Sequence, residues 1–362
     1  MTAVNQHNTP ITQSALEQRI AELENGVGAV LSASGEHALA QVLQTLTSVG
    51  DNIICAGRPG PVACRVFRLL DELGVDVHIC PQQNEAEIHR ALNEQSKAIY
   101  CETLTAPSVE GAKLELLSAL CRRMAIPLVV DNANATMTLT ECVGHGADVV
   151  VYSHLAYLCQ GAAISAGAII DSGRYDWAGA GLKVAKLNRP SPTGNHQIYT
   201  DKYGDQALLA RCRLLMQQDS ELSQTTLDAL DQGLQTLPQR MSLYCANSRR
   251  LLALLGSHPS VSYINQGLQL DLITGRQAPF LSLGVNVQPE PLKQMMAQLG
   301  SRNLTGPIGG ANYSIKLPAQ GDYLDCNETE RLTAMAADNV LCIYAGSSSP
   351  EVFYQTFNAA LI

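Results

Sequence analysis

Short apolar runs alternate with amphipathic ones from residue 52 to residue 171. NIICA (52–56) precedes VACRVFRLLDEL (62–73), and VDVHIC (75–80) precedes EAEIHRALN (85–93). AIYCE (98–102) precedes LELLSALCRRMA (114–125), and PLVVD (127–131), DVVVYS (148–153) and ISAGAIID (164–171) follow. Continuous apolar runs of this length fit strands buried on both faces, and apolar residues spaced three to four apart fit helices with one core face. Their alternation predicts a mostly parallel sheet with helices packed on both sides, an α/β architecture.

The flanks read differently. TQSALEQRIAELEN (12–25) carries Leu16, Ile20 and Leu23 at helical spacing, with Thr12 or Ser14 as a candidate cap. An apolar stretch from Gly26 to Ser34 leads to a second helix with Ala38, Leu39, Val42 and Leu43 on one face. Residues 172–204, rich in Gly, Pro and Asn, read as a long surface excursion. Residues 205–256 are strongly helical, and beyond about 258 the strands are shorter, with a final helix around 349–361. This texture divides the chain into an N-terminal segment (1–25), a large α/β domain (26–240) and a smaller C-terminal α+β domain (241–362).

Composition narrows the functional classes. The chain has 362 residues, 46% of them hydrophobic, and a net charge of −9 with no basic block. A nucleic-acid partner is not expected, because such proteins concentrate Lys and Arg. The N-terminus lacks the basic and apolar regions of a signal peptide, and no apolar run approaches the roughly 20 residues of a membrane span. A cytoplasmic protein without membrane contact is expected. The eleven cysteines form no CxxC and sit mostly in apolar runs, as reduced, buried thiols would. The eight histidines form no HxxxH or HExxH pair, so no metal site is expected.

Three places offer chemistry. Asp131 closes a strand, where a carboxylate reaches a ligand in the crevice or caps the following turn. Ser34, Gly35 and Glu36 precede a helix, a place for an anion or simply for a serine N-cap. Ser153 ends another strand and either donates to the same anion or satisfies local backbone. His154 follows it with no adjacent acid or second nucleophile, so a hydrolytic triad has little support.

Together and in order, these pieces resemble the Cys/Met-metabolism family of pyridoxal-phosphate (PLP) enzymes, in particular its O-acetylhomoserine sulfhydrylase-like branch. SASGEHA resembles the family's phosphate loop, IYCETLTAP its ETPxNP stretch and PLVVDNANAT its VVDNTFAT. GAIIDSGRYDW with IYTDKYGDQALLARCR resembles the sulfhydrylase branch, and GLQTLPQRM resembles GLxTLxxRM. The resemblance implies the PLP-dependent transferase fold type I (aspartate-aminotransferase-like) and a role in sulfur amino-acid metabolism, with kinship to cystathionine γ-synthase-type enzymes. It also implies that Asp131 holds the pyridine nitrogen of PLP, and that Ser34, Gly35, Glu36 and Ser153 hold its phosphate.

The same resemblance exposes departures. SHLAYL stands where the family has SATKYL, so Ala156 occupies the position of the lysine that forms the Schiff base. Leu155 replaces a threonine, Gly60 the ring-stacking tyrosine and Ala106 the asparagine of ETPxNP. The YSR element falls at Asn5, Gln6 and His7, and Cys342 takes the place of the arginine that grips the substrate carboxylate. Each lost charge-assisted bond removes about 1.5–3 kcal/mol.

The expectation is a pseudoenzyme without a covalently bound cofactor, with PLP at most a weak non-covalent ligand. It would act as a structural, regulatory or binding protein, as a homodimer or homotetramer or beside an active paralogue, with a small anion in the old cleft. The alternatives are a transferase or lyase on O-acetylhomoserine or related amino acids using a displaced lysine such as Lys183 or Lys186, or a cleft reused by Cys159, Cys342 or His154. Bulky Leu155 and Tyr157 leave open a cleft filled by side chains.

Overall fold

The computed structural model describes residues 10–162, 164–192, 196–216, 221–265, 267, 270–301 and 306–361. The first helix, α1 (Gln13–Leu23), starts where Thr12 Oγ1 accepts from the Ala15 N–H, and it buries Leu16 and Ile20 completely. It packs on β1 and on the long helix described below, with Arg19 paired to Asp231 at 2.7 Å. The expected separate N-terminal segment, 1–25, is thus joined to the core from α1 onward, because its apolar row has a partner surface there.

Seven apolar runs pair into one sheet. These are β1 (Gly28–Ser32), β2 (Asn52–Ala56), β3 (Asp76–Cys80), β4 (Ser96–Glu102), β5 (Leu128–Asp131), β6 (Val149–Tyr152) and β7 (Gly167–Asp171), in the order β1-β7-β6-β5-β4-β2-β3. From β3 across to β6 the strands are parallel, and β7 runs antiparallel to both its neighbours, β6 and β1. Strands β2, β5, β6 and β7 are buried along their full length, as their unbroken apolar runs require. Helices α2 (Gly35–Leu46), α3 (Pro61–Glu72), α4 (Glu85–Ala91) and α5 (Leu114–Met124) connect or precede the parallel strands.

Residues 172–192 and 196–204 depart from the expected surface excursion. Trp177 and Tyr199 are buried, and Trp177 Nε1 donates to Asp171 at 2.8 Å. Tyr175 packs on Trp177 with ring centroids 4.6 Å apart. Large aromatic area outweighs the polar residues between, and the stretch folds back over the sheet.

One helix, Gln224–Leu255, spans 32 residues, about 48 Å at 1.5 Å per residue, and straddles the expected boundary at 240/241. It leads into a four-stranded antiparallel sheet, β10-β11-β9-β8, built from β8 (Val261–Asn265), β9 (Phe280–Val285), β10 (Ser314–Lys316) and β11 (Val340–Tyr344). The long helix touches both halves. Arg240 Nη1 donates to the Tyr157 carbonyl at 2.8 Å, Tyr244 to the Gly309 carbonyl at 2.6 Å, and Asn247 Nδ2 to the Gly346 carbonyl at 2.8 Å.

At the end of α1, Glu24 is fully buried. It accepts from Asn132 Nδ2 at 3.0 Å and from the Tyr152 hydroxyl, while its Oε2 has no partner. Burial pushes its carboxyl up to about 7 from an ordinary 4.5. The folded state therefore holds a proton that the unfolded state releases at lower pH. The stability this group contributes is full below pH 4.5 and declines as pH rises through about 7. Glu24→Gln keeps the acceptor and removes the titration. Urea unfolding followed between pH 5 and 8 should show a shallower decline for this variant than for the natural chain.

Candidate active-site cleft

The C-terminal ends of the parallel strands face the small sheet across a cavity of about 500 Å³. Gly60, Glu102, Ala106, Ser153, His154 and Ala156 line it from the large domain. Lys316, Asp322, Cys342 and Tyr344 line it from the small one. Tyr323 closes the seam, its hydroxyl 3.0 Å from the Pro59 carbonyl and 3.1 Å from that of Ala106. Leu155 and Tyr157 are buried in the core instead of filling the cleft.

Asp131 ends β5 directly opposite Glu102 on β4. Its Oδ1 accepts from the backbone N–H groups of Ala133 at 3.0 Å and Ser153 at 3.3 Å. Of the two readings of its position the structure displays the cap: Asp131 caps the turn after β5 and also holds the end of β6, and it is not among the cavity-lining residues. Glu102 Oε1 accepts from the Gly60 N–H at 2.6 Å. The Tyr100 hydroxyl lies between the carboxylates, 3.2 Å from Glu102 Oε1 and 3.5 Å from Asp131 Oδ2. Burial holds both carboxyls above their usual range, and the charge of Asp131 raises Glu102 further. Two like charges in one dry site do not ionise together, so the pair retains a proton.

Ser34 caps α2, its Oγ accepting from the His37 N–H at 3.3 Å. Glu36 is paired with Arg65 of α3 at 2.6 Å, and Arg65 reaches the cavity wall. Gly35 lies against the strand end, since a Cβ there would sit 1.8 Å from the Ser153 carbonyl oxygen. The structure thus brings Gly35, Ser153 and Asp131 together at the ends of β5 and β6, with Ser34 and Glu36 flanking Gly35.

The other candidates separate. Lys183 Nζ donates to the Met124 carbonyl at 2.7 Å and Lys186 Nζ to the Gln44 carbonyl at 2.8 Å, and neither is among the cavity-lining residues. Cys159 and Cys342 are buried, and burial pushes each thiol up to about 12, leaving both protonated at neutral pH. His154 Nε2 lies 3.3 Å from Asn134 Oδ1, and burial pulls its imidazole down to about 4. It is a neutral ring. Asn5, Gln6 and His7 lie outside the described residues.

Sequence reasoning missed Glu102, Arg65, Lys316 and Asp322. Glu102 closes AIYCE as Asp131 closes PLVVD, so the same strand-end logic points to it. The others reach the cavity through tertiary packing that no local pattern reports.

An open sheet, parallel at its centre, with a ligand-sized cleft at its strand ends and a second small sheet across it is the architecture of the type I PLP-dependent enzymes. The chain belongs to the Cys/Met metabolism PLP-dependent enzyme family, whose model matches residues 6–361. It is 25% identical to the homocysteine synthase of Schizosaccharomyces pombe over 97% of this chain and 85% of that one. It is 30% identical to the O-acetyl-L-homoserine sulfhydrylase of Corynebacterium glutamicum over 70% of this chain and 60% of that one. A Campylobacter jejuni protein described as an O-acetylhomoserine (thiol)-lyase, solved with a pyridoxyl-lysine, superposes with a TM-score of 0.86 at 20% identity, covering 96% of this chain and 86% of that one. Cystathionine γ-synthase from Xanthomonas oryzae superposes with a TM-score of 0.79 at 19% identity, covering 99% and 90%. Among the described residues no helix is long and apolar enough to cross a membrane.

Gly35→Ala should separate the start of α2 from the end of β6. A loss of about 3 kcal/mol is expected, because backbone must move to admit the methyl. Thermal and urea unfolding measure it.

Proposed function

We propose that this chain is a family member that has left Schiff-base chemistry and serves as a non-catalytic binding or regulatory protein, assembled with copies of itself or with an active paralogue. The observation that carries the reading is Ala156, a methyl group on the cavity wall at the position its motif gives to the lysine. A methyl group condenses with no aldehyde. Lys183 and Lys186 are bound to carbonyls elsewhere, and Lys316, on the opposite wall, is ion-paired with Asp322 at 3.1 Å. The residues present do not fit a covalently held PLP.

Other features of the cleft support the same reading. At Gly60 a Cβ would lie 2.8 Å from both carboxylate oxygens of Glu102, so an aromatic side chain there needs Glu102 to move. Cys342 offers a buried, protonated thiol where an arginine would grip a carboxylate. What persists, Asp131 and the contact of Gly35 with Ser153, also holds the fold together. Any PLP that enters is therefore a weak, non-covalent guest.

Incubation with PLP, borohydride reduction and peptide mapping should yield no pyridoxyl adduct, and an assay with O-acetylhomoserine and sulfide should show no turnover. Ala156→Lys should form the adduct yet keep kcat/KM at least about tenfold below that of an active relative, because the charge-assisted carboxylate bond is still missing. An adduct on the natural chain, or turnover by it, overturns the reading.

A further inference from the structure

All eleven cysteines are free thiols, and two of them meet across the seam between the large domain and the small one. Cys64 lies in the first turn of α3, its Sγ 3.8 Å from the Pro59 carbonyl oxygen. Cys326 lies in the small domain, in the chain between β10 and β11, and its backbone N–H donates to the Tyr323 carbonyl at 3.1 Å. The two thiols are hydrogen-bonding neighbours. With Tyr323, Ala334 and Ala336 they form a small buried cluster apart from the two main cores.

Bonds on either side hold the pair in place. The Tyr323 hydroxyl donates to the carbonyls of Pro59 and Ala106 at 3.0 and 3.1 Å. Arg68 Nη1 donates to the Asp325 carbonyl at 2.5 Å, and Arg58 Nη1 to the Thr333 carbonyl at 2.5 Å. Residues flanking Cys64 are thus bonded to residues flanking Cys326, and the backbone presents one sulfur to the other. A disulfide asks for sulfurs about 2 Å apart, so the remaining approach is made by side chains already in contact.

A reagent has a way in. A pocket of about 200 Å³ reaches Cys64, and Arg68, Glu330 and the exposed Asp71 and Ile79 share its lining. It has room for a molecule as small as hydrogen peroxide. A shared metal ion is a poorer fit, because among the described residues no three potential ligands are placed to hold one.

We propose that Cys64 and Cys326 form a reversible disulfide that joins the two domains when the chain meets a hydroperoxide. The Cys64 thiol gives its proton to water, and its sulfur attacks the peroxide. An S–O bond forms, the O–O bond breaks, and the departing hydroxide takes up a proton to leave as water. The Cys326 sulfur then attacks the sulfenic sulfur. The S–S bond forms, the S–O bond breaks, and the second hydroxide leaves as water with the Cys326 proton. Each sulfur gives up one electron and the peroxide gains two. Burial, with Glu102 and Glu330 nearby, pushes Cys64 up, and burial and Glu330 push Cys326 up, so thiolate is scarce at neutral pH and the reaction is slow. Pro61 and Arg65 of α3 and Asp322 and Tyr323 of the small domain all line the main cavity, so the bridge staples its two walls along one edge. This holds whether or not the cleft is catalytic.

Exposure of the full chain to millimolar hydrogen peroxide at pH 8 for several hours tests it. Alkylation after denaturation should then reach nine of the eleven cysteines. Non-reducing peptide mapping should recover the Cys64 and Cys326 peptides as one species that dithiothreitol separates. The oxidised monomer should melt at least about 5 °C higher, because a bridge closing so long a loop restricts the unfolded chain. Cys64→Ser and, separately, Cys326→Ala should each abolish the linked species and the rise in melting temperature, with circular dichroism confirming that both variants are folded. Full alkylation of both thiols, a bridge between other cysteines or between two copies, Cys64 oxidised to sulfinic acid beside a free Cys326, or a linked chain that melts no higher overturns the proposal. None of these readouts involves PLP, so their outcome and that of the preceding section are separate.

Discussion

The Asp131 carboxylate is the tie on which the cleft depends. By accepting the backbone N–H groups of Ala133 and Ser153, it fixes the ends of two neighbouring parallel strands relative to each other. Everything mounted on those ends inherits that geometry. Glu102 stands across from it in register, Gly35 is wedged against the Ser153 carbonyl, and Ala156 lies three residues after Ser153. Taking an acid this far from water raises the cost of its charge, and the Tyr100 hydroxyl with two backbone donors offsets that cost. The shape of the cleft then rests on these internal contacts, independent of what occupies it.

The central sheet was legible because its signal is local. Each of NIICA, AIYCE, PLVVD and DVVVYS is apolar on both faces, and the strands formed within two residues of the runs. Orientation was less legible. ISAGAIID looks like its neighbours, yet β7 runs antiparallel to β6, since strand direction depends on the path of the connecting chain. The excursion after 171 was misjudged for a related reason. Its polar composition hid Trp177 and Tyr199, whose burial is decided by surfaces far along the sequence.

The candidate site divides in the same way. Asp131, Ser153 and the Ser34–Glu36 turn follow from element ends, which a sequence marks clearly. Lys316 and Asp322 do not, because the place of Lys316 opposite Cys342 comes from the register of β10 on β11, and Asp322 joins it through their ion pair. Family motifs are contiguous stretches, so they report strand ends well and poorly what faces them across the cleft.

The helix Gln224–Leu255 adds a mechanical property to the cleft. Within three turns it bonds to the Tyr157 carbonyl beside Ala156, to Gly309 from the loop ahead of β10, and to Gly346 just past β11. One stiff rod is therefore pinned to both banks of the gap. A pull on either bank is transmitted along the rod instead of being absorbed by a soft linker. The width of the opening and the tilt of the smaller sheet are then one coordinate, which a neighbouring molecule gripping the rod's exposed side would read as a single displacement.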